Sequence, residues 1–284
     1  SADIVRPDQR QKPALNLQAT LPDTVHAQRI ESLLAELVAG EVYEANLTRR
    51  FVAEPCDAMS LFLDLAQHAP APYAAYLPTE FGHLVCNSPE GFLRLDGGGE
   101  VSTFPIKGTR PRGINSDHDV RLRDELRSDL KERAEHLMVV DLLRNDLGRV
   151  CEAGSITCGP LFELVGYPGV WHMVTAIRGQ LPPNLTRAQL LAATLPAGSI
   201  TGAPKRAAVQ HIRRLEQEPR GPYCGVVLVA TDDGRLIANV IIRTALCEPD
   251  QTVLQTGGGI VLDSDPNREC AETWLKLGNF AGGS

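Results

Sequence analysis

The chain has 284 residues, 43% hydrophobic and 22% charged, with a formal net charge of -7. That is a globular composition with ample core, not a disordered one. The acidic balance argues against a nucleic-acid partner, which announces itself by a basic patch, and it permits an anionic small-molecule substrate at a locally positive or metal-bearing site. The seven cysteines are scattered, with no C-x-x-C. They argue against a zinc site or disulfide framework and fit a reducing cytoplasm. No apolar run reaches membrane-spanning length, and the first twenty residues show no secretory pattern. The chain starts at Ser1 rather than Met, as a processed or truncated polypeptide does.

Residues 1–20, rich in Gln, Asp and Pro, read as an arm or linker, and 21–284 as one folded domain. Ile30, Leu33, Leu34 and Leu37 recur at helical spacing over 25–39, ending at Gly40. Residues 42–48 alternate like a strand, and 57–67 form a short helix before a run of prolines. Short strands are predicted at 73–77, 82–86 and 91–95. Another, 100–106, leads into the turn Pro105-Ile106-Lys107-Gly108-Thr109. Residues 118–147 read as one long helix whose apolar face carries Leu122, Leu126, Leu130, Ala134, Leu137 and Met138. Strands follow near 155–165 and 171–178, then a helix capped by Thr186. The glycine-bearing loop 196–205 opens a helix through about Glu216. Strands at 225–230, 236–246 and 252–255 precede a loop, Thr256-Gly257-Gly258-Gly259, a short strand at 260–262 and a last helix from Pro266. The expected class is α+β: a two-sheet antiparallel sandwich flanked by helices.

Several features could carry chemistry. Glu132 and Glu135 are three apart on one predicted helix, and Glu269 and Glu272 on another. Such pairs are usually solvated or salt-bridged, as Glu272 could be with Lys276. Two pairs on separate helices nevertheless supply the hard oxygen ligands that magnesium needs. Gly257 to Gly259 and the loop Gly198 to Lys205 expose backbone N–H groups suited to an anion. The second loop lacks the P-loop pattern. With Arg243 and Lys276 they imply a small substrate bearing carboxylates. His172 and Glu90, taken alone, read as a structural histidine and a surface glutamate. Lys107 alone reads as a surface lysine.

As a set, these motifs resemble the chorismate-utilising enzymes, the family of anthranilate synthase component I, aminodeoxychorismate synthase component I, isochorismate synthase and salicylate synthase. The stretches that carry the resemblance are Ser88 to Phe92, Pro105 to Thr109, Arg133 to Asp146, Gly198 to Lys205, Ile242 to Thr244, Gly257 to Val261 and Glu269 to Lys276. They run in the family's order over most of residues 40–280. The family's N-terminal portion is largely missing here; were the chain complete, one sheet would be shortened with an exposed edge, tryptophan feedback would be in doubt, and stability would call for a partner or dimer.

Pro-Ile-Lys-Gly-Thr resembles the aminodeoxychorismate synthases, where anthranilate synthases carry alanine for the lysine. The resemblance implies that Lys107 is a nucleophile adding to C2 of chorismate as the C4 hydroxyl leaves, after which ammonia adds at C4 and expels the lysine. That chemistry asks for a partly neutral amine, from burial or a nearby cation. The resemblance further implies Glu90 as acid, His172 beside the reacting ring, and Glu135 and Glu272 as Mg2+ ligands supported by Glu132 and Glu269. Thr201, Tyr223, Arg243, Gly257, Gly258, Gly259 and Lys276 would contact substrate. Glu44 departs from the pattern, standing where amine-adding members carry Gln and isochorismate-forming members a Lys base, and it reads either as a weak base or as a residue that orients ammonia. The implied activity serves p-aminobenzoate and folate synthesis, in the cytoplasm, with ammonia from a glutamine amidotransferase subunit or from free ammonium. Anthranilate synthase component I and a non-catalytic chorismate-binding subunit are the alternatives.

Overall fold

The computed structural model describes residues 15–167 and 169–281. The chain runs β1 (Gln18–Ala19), α1 (Asp23–Val38), β2 (Glu44–Ala53), α2 (Ala58–His68), β3 (Tyr73–Thr79), β4 (Gly82–Ser88), β5 (Gly91–Leu95), β6 (Glu100–Thr103) and β7 (Ile106–Pro111). Two helices follow, α3 (Ser116–Ser128) and α4 (Leu130–Gly148). Next come β8 (Thr157–Cys158), β9 (Glu163–Tyr167), β10 (Val170–Val174), β11 (Ile177–Gln180), α5 (Arg187–Thr194), a 3-10 turn (Gly198–Ile200), β12 (Gly202–Ala203) and α6 (Lys205–Glu216). The chain closes with β13 (Val226–Ala230), β14 (Leu236–Val240), β15 (Thr244–Cys247), β16 (Thr252–Ile260) and α7 (Pro266–Leu275).

Among the described residues the strands form two large antiparallel sheets and one small one. The seven-stranded sheet has the order β1-β2-β16-β15-β4-β3, with β12 added beside β2. The six-stranded sheet has the order β13-β14-β5-β6-β11-β8, and β7-β10-β9 form the third. The two large sheets and flanking helices are those expected. The third sheet is additional, and it takes in the stretch read as a turn around Lys107. Lys107 lies inside β7, and the bend there comes from Gly108 at φ 82.

The predicted long helix is two helices, broken at Asp129. Its backbone is extended, and its carboxylate accepts from the N–H groups of Lys131 and Glu132, capping α4. The break also rotates the buried face. Leu130 is 80% and Leu137 48% exposed, and the core is met instead by Val139, Val140, Leu143 and Leu147. At α5 the sequence reading holds in detail: Thr186 and Gln189 form a reciprocal capping box. Residues 15–20, placed in the arm, are packed: Leu15 is buried, its N–H donates to the Phe280 carbonyl (3.1 Å), and Gln18 pairs with Val52. The rest of the predicted arm, 1–14, lies outside the described residues.

Three apolar cores hold these layers. One joins α4 and α5 to the six-stranded sheet through Leu143, Leu147, Leu190 and Val240. A second joins α2 and the end of the chain to the seven-stranded sheet through Leu61, Phe51 and Phe280. In the third, Ile30 and Leu33 of α1 meet Leu47, Ala208 and Ile260. Both are fully buried, and each such side chain contributes about 1.5–3 kcal/mol of apolar burial.

Two of the places where the chain crosses between the two large sheets meet. Pro89 and Glu90 join β4 to β5, and Ile241 to Arg243 join β14 to β15. The Val240 N–H donates to the Glu90 carbonyl (3.1 Å) and the Asn87 N–H to the Arg243 carbonyl (3.0 Å). The single strand expected over 236–246 is interrupted here because Arg243 is left-handed, φ 47, an uncommon state for a residue with a Cβ and one that concentrates at functional sites.

Candidate active site

Both crossovers open onto a cavity of about 580 Å³ bounded by β7, α4, β16 and α7. It gathers nearly every residue singled out from sequence: Glu90, Lys107, His172, Tyr223, Arg243, Gly257, Gly258, Gly259 and Lys276, with Glu132, Glu135, Glu269 and Glu272. Thr201 is the exception among the expected catalytic, substrate-binding and metal-binding residues. It is 4% exposed, does not line the cavity, and spends its hydroxyl on the Ala197 carbonyl (2.9 Å). Ser199 and Ile200 of the same loop face the cavity in its place.

Lys107 Nζ donates to Glu44 Oε1 at 2.8 Å, and the two side chains are 16% and 2% exposed. Burial pulls the lysine's pKa down, but the Glu44 carboxylate in contact, with Glu135 and Glu90 nearby, raises it above its ordinary value. The pair thus favours the charged amine at rest, against the expectation of a partly neutral one. Glu44 is 2% exposed and is not among the residues that line the cavity.

Glu90 accepts a hydrogen bond from the Ser199 hydroxyl at 2.5 Å. Removal from water raises its pKa, opposed by that hydrogen bond and by Lys107 and Lys276. A carboxyl tuned upward in this way can hold a proton for a leaving group. His172 lies on β10, opposite Thr109 of β7. Its Nδ1 is buried without a hydrogen-bond partner. Burial and then Arg243 lower its pKa, so it is a neutral ring at the cavity wall. Arg243 forms no ion pair among the described residues, and burial lowers its pKa. A largely desolvated cation without a counter-charge is a ready partner for a substrate carboxylate. Tyr223 has its phenol pKa raised well above the usual value by burial, so it stays a donor.

Gly257 to Gly259 are not a loop. They lie inside β16, opposite Thr48, Leu47 and Asn46 of β2. The sequence misleads because glycine depresses strand propensity. β15 pairs with β16 only as far as Leu254. Beyond it the second edge of β16 has no strand partner among the described residues, so backbone groups there, apart from the Gly257 carbonyl that Lys276 takes, can turn to a ligand. Each glycine also makes room for something specific. A Cβ at Gly257 would stand 2.1 Å from the Leu47 carbonyl oxygen, at Gly258 3.0 Å from Glu269 Oε2, and at Gly259 2.1 Å from Glu44 Oε1.

The four carboxylates are less free than the sequence suggested. Glu132 is paired with Arg110 (3.3 Å), Glu272 with Lys276 (2.6 Å), and Glu269 accepts from the Ser264 hydroxyl (2.7 Å). Lys276 also donates to the Gly257 carbonyl (2.8 Å), which ties α7 to β16. Glu135 has only Lys131 within ion-pair reach, at 3.8 Å. Burial raises its pKa to about 7, although Lys107 and Lys131 pull the other way. Among the described residues no three acidic, histidine or cysteine side chains close a metal site by themselves. The donor chemistry still suits magnesium, which takes one or two carboxylates and completes its shell with water and substrate oxygens. A carboxylate as poorly compensated as Glu135 fits that use.

Sequence reasoning missed Asn46, Ser199 and Arg110. Asn46 follows Glu44 by two residues on β2, hence on the same face, and its Oδ1 is a buried acceptor without a partner at the cavity. That strand alternation was a usable signal. The Ser199–Glu90 and Arg110–Glu132 pairs span 109 and 22 residues, and no local pattern reveals them.

The profile of the chorismate binding enzyme family matches residues 2–282. An aminodeoxychorismate synthase of Streptomyces pristinaespiralis is 38% identical over 94% of this chain and 37% of its own length. Aminodeoxychorismate synthase component 1 of Escherichia coli is 38% identical over 92% of the chain and 57% of its own. Anthranilate synthase component 1 of Spirochaeta aurantia is 39% identical over 90% and 53%. The chain thus spans about half the length, or less, of these curated relatives. Anthranilate synthase component I from Streptococcus pneumoniae superposes with a TM-score of 0.88 at 30% identity, covering 96% of this chain and 61% of that one. The menaquinone-specific isochorismate synthase of Escherichia coli shares the fold, with a TM-score of 0.82 at 21% identity over 96% and 65%. No helix among the described residues is long and apolar enough to cross a membrane. With the family profile matched across the chain and its motifs gathered on one cavity, the chain belongs to the chorismate binding enzyme family.

Proposed function

We propose that this chain is the chorismate-aminating unit of an aminodeoxychorismate synthase, making 4-amino-4-deoxychorismate for p-aminobenzoate and folate synthesis. The observation that carries this reading is Lys107, whose Nζ reaches a cavity that also holds Glu90 and an unpaired Arg243. Arg243, Tyr223 and the open edge of β16 bind and orient the ring and its carboxylates. Glu90 delivers a proton to the departing C4 hydroxyl, Lys107 bonds to C2, and ammonia then enters at C4 while the C2–N bond breaks. His172 packs beside the ring as a neutral group. Glu135 and Glu272, supported by Glu132 and Glu269, would hold Mg2+, which neutralises substrate carboxylate charge when bound. Ammonia would come from a glutamine amidotransferase subunit or free ammonium. The test is incubation with chorismate, Mg2+ and ammonium followed by mass spectrometry. 4-Amino-4-deoxychorismate is expected, and anthranilate or isochorismate as product sinks the reading. Anthranilate synthase is the second reading, favoured by the similarity to anthranilate synthase component 1 at 39% identity. Lys107 speaks against it, since that activity carries alanine there in the motif described above.

A further inference from the structure

The cysteines are scattered in the sequence, but the fold brings two of them into contact. Cys56 and Cys247 are 191 residues apart, and their Sγ atoms stand 3.6 Å from each other. Both are free thiols. Cys247 ends β15, where it pairs with Thr252 of β16 on one side and His83 of β4 on the other. It is 4% exposed. Its backbone is closely packed: a Cβ on Gly82 would stand 2.2 Å from the Cys247 carbonyl oxygen. Cys56 lies in the short link between β2 and α2 and is only partly buried. The Thr252 hydroxyl is 3.1 Å from the Glu54 carbonyl oxygen and 3.3 Å from Cys56 Sγ, which seats this link against the start of β16. Neither cysteine lines the cavity.

We infer that Cys56 and Cys247 are a peroxide-sensitive thiol pair that closes reversibly into a disulfide locking the end of β2 to β15. Exposure sets the order of events. Cys56 Sγ, the sulfur within reach of solvent, attacks one oxygen of hydrogen peroxide. An S–O bond forms, the O–O bond breaks, and the other oxygen leaves as water with the Cys56 proton. Cys247 Sγ then attacks the Cys56 sulfenic acid. The S–S bond forms, the S–O bond breaks, and the hydroxide leaves as water with the Cys247 proton. The two thiols lose two electrons and the peroxide becomes two waters. The Cys247 thiol also prepares its neighbour: the hydrogen bond it gives lowers the Cys56 pKa to about 6, against the effect of burial, which favours the nucleophilic thiolate. A disulfide holds its sulfurs about 2.05 Å apart, an approach of about 1.5 Å from the 3.6 Å seen here. Rotation of the Cys56 side chain and movement of its link supply that approach while Cys247 stays in the sheet. A second thiol this close traps the sulfenic acid before further peroxide carries it to the sulfinic acid. The closed bond stabilises the fold by constraining the unfolded chain over a long loop. A thiol reductant reopens it by exchange at Cys56, the accessible sulfur.

The test treats the reduced chain with graded hydrogen peroxide, blocks the remaining thiols with iodoacetamide and maps the peptides by mass spectrometry. A peptide pair linked through Cys56 and Cys247 is expected, at doses that leave the exposed Cys158 largely unmodified, and dithiothreitol should release it. The oxidised chain should melt about 5–10 °C above the reduced one. Cys56→Ser, at the partly exposed position, should melt near the reduced wild type and show no rise with peroxide. In Cys247→Ala, Cys56 has no thiol to trap it and should pass on to sulfinic and sulfonic acids. Oxidation of Cys158 while Cys56 and Cys247 stay thiols overturns the inference. So does a wild-type Cys56 that reaches the sulfinic acid with no linked peptide, or a link that leaves the melting temperature unchanged. None of these readouts involves chorismate, so the result stands apart from the reading of the cavity.

Discussion

The Ser199 hydroxyl donates to Glu90 Oε1 at 2.5 Å, joining a 3-10 turn to the crossover between the two large sheets. This bond steadies the carboxylate form of a group whose pKa is raised by its removal from water. Ser199→Ala is expected to raise that pKa further, so the alkaline limb of kcat, where the acid is lost, moves to higher pH. KM should change little. A pH–rate profile on the variant checks this, and a limb that stays in place or moves to lower pH contradicts it.

Lys107→Ala should abolish amination, by more than about 10³-fold, within the range of losing a group that acts in the reacting step. It also leaves the Glu44 carboxylate, 2% exposed, without its counter-charge. Breaking a buried pair from one side costs about 3–5 kcal/mol. The double variant Lys107→Ala, Glu44→Gln should regain much of that stability and none of the activity. Urea denaturation of the three proteins reads the difference.

With Glu135 as a proposed Mg2+ ligand, metal use should depend on pH. Its pKa, raised to about 7 chiefly by burial, means that a proton competes with Mg2+ below neutrality. Half-saturation should need about fivefold more Mg2+ at pH 6 than at pH 7, and about tenfold more than at pH 8. EDTA should remove activity and Mg2+ restore it. The same shift has a stability consequence. The folded-state pKa lies above the unfolded value of 4.5, so the contribution of Glu135 is fully present below 4.5 and is lost as pH rises to about 7. Metal-free Glu135→Gln should therefore lose less stability than wild type between pH 5 and pH 8 in thermal unfolding.

The glycines of β16 should separate fold from chemistry. In Gly257→Ala the new methyl meets the Leu47 backbone carbonyl at 2.1 Å, and backbone cannot give way cheaply, so the melting temperature should drop. In Gly259→Ala the methyl meets the end of the Glu44 side chain, which can swing aside. This variant should fold with near wild-type circular dichroism yet lose about 10²-fold or more in kcat, because Lys107 is displaced. Equal melting temperatures for the two variants would contradict the assignment.

Much was legible in the sequence where the determinants are local. The capping of α5 by Thr186, the spacing of Ile30, Leu33 and Leu37 on α1, and the motif set around Lys107 each depend on residues a few positions apart. Helix caps and periodicity act over one or two turns, so they survive without tertiary information. The sequence by itself determined the family, the sheet-rich class and nearly the whole cast of the cavity. It missed the break at Asp129 and misread Gly257 to Gly259 as a loop, because a cap can end a helix inside an apolar pattern and strand pairing can override a glycine's preference.

What only the tertiary structure decided is the condition of the reacting groups. Lys107 and Glu44 lie 63 residues apart and meet at 2.8 Å. Sequence reading alone leaves the lysine free to be neutral, and contact with a carboxylate in a site of reduced water reverses that. Thr201 and Ser199 stand two residues apart in one loop, yet one hydroxyl turns back to its own backbone and the other faces the cavity. Charge state and side-chain direction follow from which distant groups share a desolvated space, and that sharing is settled by the fold.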